Sequence, residues 1–503
     1  MSKTKSSKPN FYYDEIKEII KNLYDFKCSI KKLQSYSDQN FLITDNNGNK
    51  FIFKVSNPSE RKEFIETQEL VLEHLNQNCL KYQFPQSIAA KNGESFSQIK
   101  TKDGILHIAR LLTFIEGTFL SENKALSPEI LYKLGEFLSK INKALKSFDF
   151  PVLHRKLPWD LKNTLQARQK IKFIQDPNKR RLVEYFLLQF ESIVLPAIPL
   201  LRSSIIHNDA NDNNVLISKS ETGEKITGII DFGDMIYTNT INELAIALTY
   251  ILFEKENPIE TAMHVIRGYH SVLSLQELEL ELLYYLICAR LCISVTMSAY
   301  HKRTEPDNEY ITISEKPAWE LLDRFIQINP ERAKQEFKRA CGLSIRLFSS
   351  GLSKNQILKI RKKHVGKSLS ISYQKPLKIV RGALQYLYDD EGKTYLDAVN
   401  NVPNVGHCHP KVVKAAQQQM AKLNTNTRYL HDYLVHYVQR LTAKIPDPLK
   451  VCFIVNSGSE ANDLALRLAR NYTKQKDIIV VDCAYHGTTS SDIEISPYKF
   501  NGP

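Results

Sequence analysis

The sequence predicts an α+β region of two lobes, one rich in strands and one rich in helices, followed by an α/β unit. Residues 28–55 alternate in strand fashion around an Asn-Asn-Gly turn, so they predict a hairpin that ends in the strand FIFKV. From Pro128 onward, long amphipathic helical segments dominate. After a Ser-Ser-Gly turn signal at 349–351, helices and strands alternate, which is typical of a parallel α/β unit.

The remaining elements of the first region follow in order along the chain. Residues 60–77 have helical periodicity, and residues 105–115 predict a strand that ends at Glu116-Gly117. Short apolar strands interrupt the later helices, at 205–206, 215–217 and 227–230. We therefore expect a small lobe at 1–116, a helical lobe at 117–350 and the α/β unit at 351–503.

Length and composition indicate a soluble, multidomain, cytoplasmic protein. With 503 residues, 43% of them hydrophobic and 24% charged, the chain exceeds what one hydrophobic core organises. Its first ten residues lack the apolar segment of a secretory signal, and no stretch approaches about 18 uncharged apolar residues. The eight cysteines are scattered without a metal or disulfide pattern, so we expect reduced thiols, with Cys288 and Cys292 in a helical core.

The formal net charge of +13 raises the possibility of a nucleic-acid partner. The positive charge is spread along the chain, and its densest run, KIRKKH at 359–364, is short enough to be a solvated helix face. We therefore expect neither nucleic-acid nor membrane binding. A basic protein also suits anionic small molecules such as nucleotides.

The segment IIHNDANDNNVLIS, followed by GIIDFGD, carries the residues that phosphoryl transfer requires, namely an oriented nucleophile and divalent cations on the phosphates. Asp209 can accept the proton of a substrate hydroxyl. Asn214 and Asp231 offer oxygen ligands for Mg²⁺. His207 is placed in the same catalytic loop, as its organiser. The alternative is a polar, turn-capping loop, but DFG after an apolar strand favours chemistry.

The arrangement H-x-D-x-x-x-x-N plus D-F-G resembles the aminoglycoside and choline kinase branch of the protein-kinase-like superfamily, which implies a bilobal fold. The segments SYSDQNF, IETQ, HNDANDNN, DFGDM and ICARLCISVTMSAY together resemble hydroxylysine kinases over residues 10–345. This resemblance implies an aminoglycoside phosphotransferase-type kinase that uses GTP or ATP. It also implies an amino alcohol or hydroxylated amino acid as acceptor, with 5-hydroxylysine as the expected substrate.

The nucleotide side of the expected site departs from the usual kinase pattern. Lys54, on the strand FIFKV, fits the lysine that binds the α and β phosphates. Its helical partner is an amide, because Gln68 lies in the middle of the apolar face where many kinases have a glutamate. The phosphate-covering loop lacks glycines, and we expect Ser35, Ser37 and backbone N–H groups to bind phosphate instead.

Residues 353–503 resemble the first part of a class III, fold-type I pyridoxal-phosphate (PLP) enzyme. The segment KVCFIVNSGSEANDLALRLAR predicts a buried strand, a tight turn and a helix whose N-terminal amides suit the cofactor phosphate. The strand DIIVVD then leads into CAYHG, where an aromatic ring can stack on the pyridine. The expected PLP-binding residues are Ser457, Gly458, Ser459, Tyr485 and His486. NNVPNVGHCHP, LNTNTRYLHD and ISPYKF narrow the resemblance to ethanolamine-phosphate and 5-phosphohydroxylysine phospho-lyases, with Arg428 as a candidate substrate ligand.

In the enzymes that the second unit resembles, the lysine that binds PLP and the acid at the pyridinium nitrogen follow the CAYHG motif at a distance. The last lysine here, Lys499, does not fit that role. We therefore expect this unit to be incomplete and inactive as a lyase by itself. The complete protein is expected to form a homodimer through its PLP domain.

Two other interpretations stay open at this point. The chain could be primarily a class III aminotransferase or phospho-lyase with an accessory kinase region. It could also be a pseudokinase that binds nucleotide as a scaffold, which Gln68 and the glycine-poor loop would suit. The favoured hypothesis is that the two reactions are consecutive, since a kinase makes the phosphate ester that a phospho-lyase would eliminate.

Overall fold

The computed structural model describes residues 8–35, 37–123, 125–220, 223–304, 314–343 and 351–499. The chain divides into two compact units, Met1–Ala416 and Gln417–Pro503. The predicted boundary at residue 350 lies outside the described residues, and it stays a prediction.

The small lobe is a twisted antiparallel sheet with one helix before it and one helix packed against it. Its elements are α1 (Tyr13–Tyr24), β1 (Cys28–Leu33), β2 (Gln39–Asp45), β3 (Lys50–Val55), α2 (Lys62–Asn78), β4 (Ser87–Ile88), β5 (Ser97–Lys100) and β6 (Leu106–Thr113). The strand order is β1-β2-β3-β6-β4, and β5 also pairs with β6. Lys54 therefore lies mid-sheet, between Asn40 on β2 and Arg110 on β6. The predicted hairpin, helix and following strand are confirmed.

The large lobe is mainly helical, with short strands that carry the loops of the site. Its helices are α3 (Pro128–Ala144), α4 (Pro177–Gln189), α5 (Ile241–Ile251), α6 (Pro258–Val272), α7 (Glu277–Thr304), α8 (Glu315–Phe325) and α9 (Pro330–Ala340). Its strands are β7 (Thr118–Phe119), β8 (Ser203–Ile206), β9 (Val215–Ser220), β10 (Gly223–Ile229) and β11 (Ile236–Asn239). They form two small sheets, β10-β9-β7 and β11-β8. The predicted α+β architecture of two lobes is confirmed.

Helices α3 and α6 cross at a pair of glycines. A Cβ atom on Gly135 would lie 1.9 Å from the carbonyl oxygen of Val265, and one on Gly268 would lie 1.9 Å from that of Tyr132. No side chain fits at either position, so the two backbones touch directly. This close crossing packs the helices that support the short strands.

Helix α7 is the central core helix of the large lobe. The stretches 177–200 and 277–304 have the length and hydropathy of membrane spans, but 94% of the most apolar window of 277–304, and 50% of that of 177–200, is buried within the protein. Cys288 and Cys292 lie on α7 and are buried. The burial of α7 is that of a helix surrounded by its own protein.

The hairpin that follows the predicted boundary packs on the large lobe. After the exposed helix α10 (Lys354–His364), residues 379–396 form the sheet β12 (Ile379–Ala383), β13 (Tyr386–Asp389) and β14 (Thr394–Leu396). Tyr388 is 1% exposed, and its hydroxyl donates to the carbonyl oxygen of Ile326. Asn329 Nδ2 donates to the carbonyl oxygen of Asp389 at 2.9 Å. The start of the α/β region is therefore part of the core of the first compact unit.

The last part of the chain contains α11 (Pro410–Lys422), α12 (Asp432–Thr442), α13 (Gly458–Thr473) and α14 (Ser490–Glu494). The strands predicted in KVCFIV and DIIVVD are not formed, which corrects the sequence analysis. No described strand pairs with either segment, and Val451 and Ile479 are 80% and 102% exposed. An apolar segment becomes a strand only when a neighbour completes its hydrogen-bond ladder.

Candidate active site

The catalytic loop, 207–214, connects β8 to β9 and is organised by His207. The side chain is buried, and its Nε2 lies 2.9 Å from the carbonyl oxygen of Ile230, while Nδ1 accepts the backbone N–H of Asp209 at 3.2 Å. Burial lowers the pKa of His207 to about 4. The ring is therefore neutral at pH 7, with its proton on Nε2. It joins the catalytic loop to β10 and transfers no proton itself, as its predicted role of organiser requires.

Asp209, the predicted base, has both carboxylate oxygens engaged. Oδ2 accepts a hydrogen bond from Asn214 Nδ2 at 3.0 Å, and Oδ1 lies 3.1 Å from a guanidinium nitrogen of Arg290 on α7. The side chain is 24% exposed. Burial raises the pKa of Asp209 to about 7, although Arg290 opposes this rise. A carboxylate with this pKa, fixed from two sides, is suited to accept a proton near neutral pH.

Glu243 on α5 fixes the backbone of the catalytic loop, and the sequence analysis missed it. Its Oε2 accepts the backbone N–H groups of His207 at 2.6 Å and of Asn208 at 3.4 Å. Asn208 has a left-handed backbone, with φ of 66°, which this anchor stabilises. Burial raises the pKa of Glu243 to about 7. The signal in the sequence was a lone acid in the apolar helix INELAIAL, since Glu243 is only 1% exposed.

Asp231, the predicted metal ligand, follows β10 with a left-handed backbone at φ 62°. Lys54 Nζ lies 3.1 Å from Asp231 Oδ1 and 3.2 Å from Asp38 Oδ2. Lys54 holds the pKa of Asp231 below its ordinary value. Burial disfavours the charge of Lys54, but Asp231 and Asp38 outweigh burial and raise its pKa. Lys54 thus joins the small sheet to the loop that carries Asp231, residues 230–235, called the metal loop below. It has two carboxylate partners, neither of them on α2.

Gln68 lies on the buried face of α2, as predicted, but its amide binds protein groups. Arg110 Nη2 donates to Gln68 Oε1 at 2.9 Å, and Gln68 Nε2 donates to the carbonyl oxygen of Phe232 at 2.7 Å. These bonds link α2 to the residue that follows Asp231. Its assignment to the nucleotide site stays a prediction, and the contacts show a support for the metal loop.

The loop between β1 and β2 lies beside this network. Ser35 and Ser37 flank Tyr36 in that loop, and Ser37 Oγ is 3.4 Å from Asp38 Oδ1. Asp38 Oδ1 also accepts the backbone N–H of Asn57 at 3.0 Å. The loop therefore reaches Lys54 through Asp38, the residue that follows Ser37. The contact of Ser35 and Ser37 with phosphate stays a prediction.

The donor set of the site fits Mg²⁺. Asn214 uses its Nδ2 toward Asp209, which leaves its side-chain oxygen for a cation, and the Asp231 side chain is 51% exposed. Among the described residues, no group of three or more His, Cys, Asp and Glu side chains forms a cation cage. One amide and one carboxylate suit a cation that takes its other ligands from phosphates and water, as Mg²⁺ does.

In the second unit, the predicted cofactor residues meet at the start of α13. Ser457 caps this helix, accepting the backbone N–H of Glu460 at 3.1 Å, and a Cβ on Gly458 would meet no atom within 4 Å. Ser459 Oγ accepts the N–H of Thr488 at 3.1 Å, and Asn462 Nδ2 donates to the carbonyl oxygen of His486 at 2.6 Å. These bonds bring the two motifs together at an open helix N-terminus, which suits an anion.

Two other residues of the predicted cofactor region are accessible. The Tyr485 side chain is 61% exposed, so one face of its ring is available for stacking. Arg428 is also exposed, in the segment before α12. Its contact with a substrate anion stays a prediction.

A base, an amide and a carboxylate on consecutive loops, beside a lysine of the small sheet, define a phosphotransferase site. The profile of the Phosphotransferase enzyme family matches residues 29–280, and the chain belongs to that family. It is a small-molecule kinase. The hydroxylysine kinase of Mus musculus is 31% identical over 351 residues, covering 66% of this chain and 93% of that protein. The kinase assignment from the sequence is confirmed.

The profile of the class-III aminotransferases matches residues 370–497. The alanine–glyoxylate aminotransferase 2-like protein of Drosophila melanogaster is 58% identical over 156 residues, 31% of this chain and 32% of that protein. The ethanolamine-phosphate phospho-lyase homolog 1 of Caenorhabditis elegans is 47% identical over 150 residues, 30% of this chain and 32% of that protein. The chain thus spans about a third of the length of these two relatives. The predicted combination of a kinase with a class III region is confirmed.

Proposed function

We propose that this chain transfers the γ-phosphate of GTP or ATP to the side-chain hydroxyl of an amino-bearing acceptor, with 5-hydroxylysine as the substrate. The observation that carries the proposal is Asp209, fixed on both oxygens with a pKa of about 7, beside Asn214 and Asp231. The similarity to a hydroxylysine kinase over nearly that protein's full length supports the acceptor.

The residues of the site divide the reaction between them. Asp209 accepts the hydroxyl proton on a carboxylate oxygen and orients the hydroxyl oxygen toward the phosphate. Lys54 binds phosphate oxygens from the small sheet, with Ser35 and Ser37 beside it. Asn214 and Asp231 would hold Mg²⁺, which would neutralise charge on the phosphates.

Carboxylates beside Asp209 support a cationic acceptor. Burial raises the pKa of Asp212 to about 6. Burial also raises the pKa of Asp234, and the charge of Asp231 adds to this rise. The charge of Asp234 acts on Asp209, and that of Asp212 acts on Tyr250 nearby. An ammonium group in this region would be attracted by several acids, and each acid would become more stable in its charged form.

The test is phosphoryl transfer by the full chain with Mg²⁺ and either GTP or ATP. The acceptors are 5-hydroxylysine, ethanolamine, choline and an aminoglycoside, and transfer to hydroxylysine is expected to be the most efficient. Asp209→Asn, which keeps the shape of the side chain and removes the base, is the control for background hydrolysis. Transfer to none of these acceptors would contradict the proposal. Bound nucleotide without turnover would instead indicate a pseudokinase.

We also propose that the class III region contributes to a PLP site of the complete protein, which as a homodimer eliminates or transfers a group from the kinase product. Ser457, Gly458 and Ser459 would bind the cofactor phosphate, and Tyr485 and His486 would lie against its ring. The open helix N-terminus of α13 is the observation that favours this. The test is retention of added PLP by this chain after gel filtration, and the retention should survive Asp209→Asn. A chain that retains no PLP would contradict it.

A further inference from the structure

The catalytic loop has a partner on α7, Arg290, to which the sequence analysis assigns no role. Arg290 is 2% exposed and lies in the middle of the core helix. It is the only residue among Asp, Glu, Lys and Arg between Glu281 and Lys302, a run of apolar and small polar side chains. Burial of a guanidinium costs free energy unless the charge is paired and hydrogen-bonded, so the position of Arg290 needs an explanation.

The guanidinium of Arg290 contacts the catalytic base and two neighbouring residues. One guanidinium nitrogen donates to Asp209 Oδ1 and to the Tyr250 hydroxyl, each at 3.1 Å, and the other donates to the carbonyl oxygen of Trp159 at 3.0 Å. The rings of Trp159 and Tyr250 lie 5.1 and 5.6 Å from the guanidinium carbon. Three hydrogen bonds and two aromatic contacts fix the direction of the group. In the described part of the chain, Asp209 is the one carboxylate within ion-pair distance of Arg290.

We propose that Arg290 is a positioning residue that holds Asp209 in its reactive orientation. The inference rests on the proposed kinase function and deepens it. Asn214 fixes one oxygen of Asp209 from within its own loop, and Arg290 fixes the other from the core helix. A base held at two points cannot rotate away from the substrate hydroxyl, and orientation of this kind accounts for a large part of enzymatic rate enhancement.

The test uses the full chain and the variants Arg290→Met and Arg290→Lys. With hydroxylysine as acceptor, Arg290→Met is expected to lower kcat by about 100-fold or more, the scale of general-base catalysis. The nucleotide KM is expected to stay within about twofold, because Arg290 contacts the base and not Lys54. Arg290→Lys keeps a charged donor and loses the planar fork, so its kcat should fall less than that of Arg290→Met.

A matched control is available in a second ion pair to α7. Arg202, just before β8, pairs with Glu279 of α7, whose side chain is 1% exposed, and does not contact Asp209. Arg202→Met therefore removes another ion pair of this helix and is expected to lower the melting temperature while kcat stays within about threefold of wild type. If Arg290→Met does not fold, Arg290→Lys and Tyr250→Phe, which removes one partner of Arg290, supply the same comparison.

Three results are distinguishable. Wild-type chain without transfer to any acceptor would overturn the proposed kinase function itself. Active wild type, with Arg290→Met and Arg290→Lys within about threefold of its kcat, would overturn only the role of Arg290. The same loss of kcat in Arg290→Met and in Arg202→Met would also overturn it, because both losses would reflect general destabilisation.

Discussion

Replacing Tyr388 tests whether the start of the class III region belongs to the core of the kinase. Tyr388 lies on β13, is 1% exposed and donates its hydroxyl to the carbonyl oxygen of Ile326, at the end of α8. Truncation of a buried aromatic side chain costs about 3–5 kcal/mol. Tyr388→Phe removes only the hydrogen bond and leaves one carbonyl oxygen unsatisfied, so we expect a loss of about 1–2 kcal/mol. The free energy of unfolding of a domain is about 5–15 kcal/mol in total, so Tyr388→Ala should lose a large part of this stability.

The sequence provides a probe for this measurement. The chain has two tryptophans, Trp159 and Trp319, and both lie in the first compact unit. Equilibrium unfolding in urea, followed by tryptophan fluorescence, therefore reports on the kinase core and not on residues 417–503. Leu396→Ala, in the same hairpin but 68% exposed, is the matched control and should change stability by less than about 0.5 kcal/mol. Equal unfolding midpoints for Tyr388→Ala and Leu396→Ala would show that the hairpin does not stabilise the kinase.

Three further predictions concern the kinase site. Asp38→Asn removes a carboxylate that competes with phosphate for Lys54. The nucleotide KM should therefore fall about fivefold, the equivalent of ~1 kcal/mol. A higher KM would show that Asp38 assists nucleotide binding. Gln68→Ala removes the hydrogen bonds of Gln68 to Arg110 and to the Phe232 carbonyl oxygen. The free energy of unfolding should fall by about 1–3 kcal/mol, and kcat should also fall. Unchanged thermal unfolding would contradict the link from α2 to the metal loop. Asp209 acts as a base when ionised and burial raises its pKa to about 7, so wild-type kcat should decline as pH falls below about 7; a rate independent of pH from 5 to 8 would contradict this role.

The part of the site that the sequence predicts well is local. His207, Asp209 and Asn214 lie within eight consecutive positions on one loop, so their spacing nearly determines their geometry. Asp231 ends a short apolar strand, and strand-to-loop transitions of this kind place side chains at the edge of a sheet. Sequence patterns identify such residues because few conformations are open to so short a segment.

The partners of these residues could not be predicted, because tertiary packing supplies them. Glu243 binds the catalytic loop from 36 positions away and Arg290 from 81. Each appears in the sequence only as an isolated charge in an apolar helix. On α2, where kinases usually have the partner of the sheet lysine, here Lys54, the chain has Gln68. The structure provides Asp38 from the phosphate-side loop instead.

The two strand predictions in the class III region were wrong for a different physical reason. KVCFIV and DIIVVD have the composition of buried strands, but a strand is stable only beside another strand, and the described residues provide none. The hairpin at 379–396 has weaker strand character and is nevertheless formed, because it is internally paired and packs on the large lobe. Composition therefore indicated that these segments can form strands, while the neighbouring segments determined whether a paired strand is formed.

The amide at position 68 follows from the charge balance of the site. Lys54 already neutralises Asp38 and Asp231, and Arg110 lies beside it in the cross-strand register. Gln68 can do what a carboxylate at this position cannot, since it accepts from Arg110 and also donates to the carbonyl oxygen of Phe232. A glutamate would place a third acid near Lys54 and lose the donor that fixes the metal loop. The departure from the usual kinase pair is thus compatible with catalysis. Asp38 supplies a carboxylate that pairs with Lys54, and Gln68 connects α2 to the metal loop.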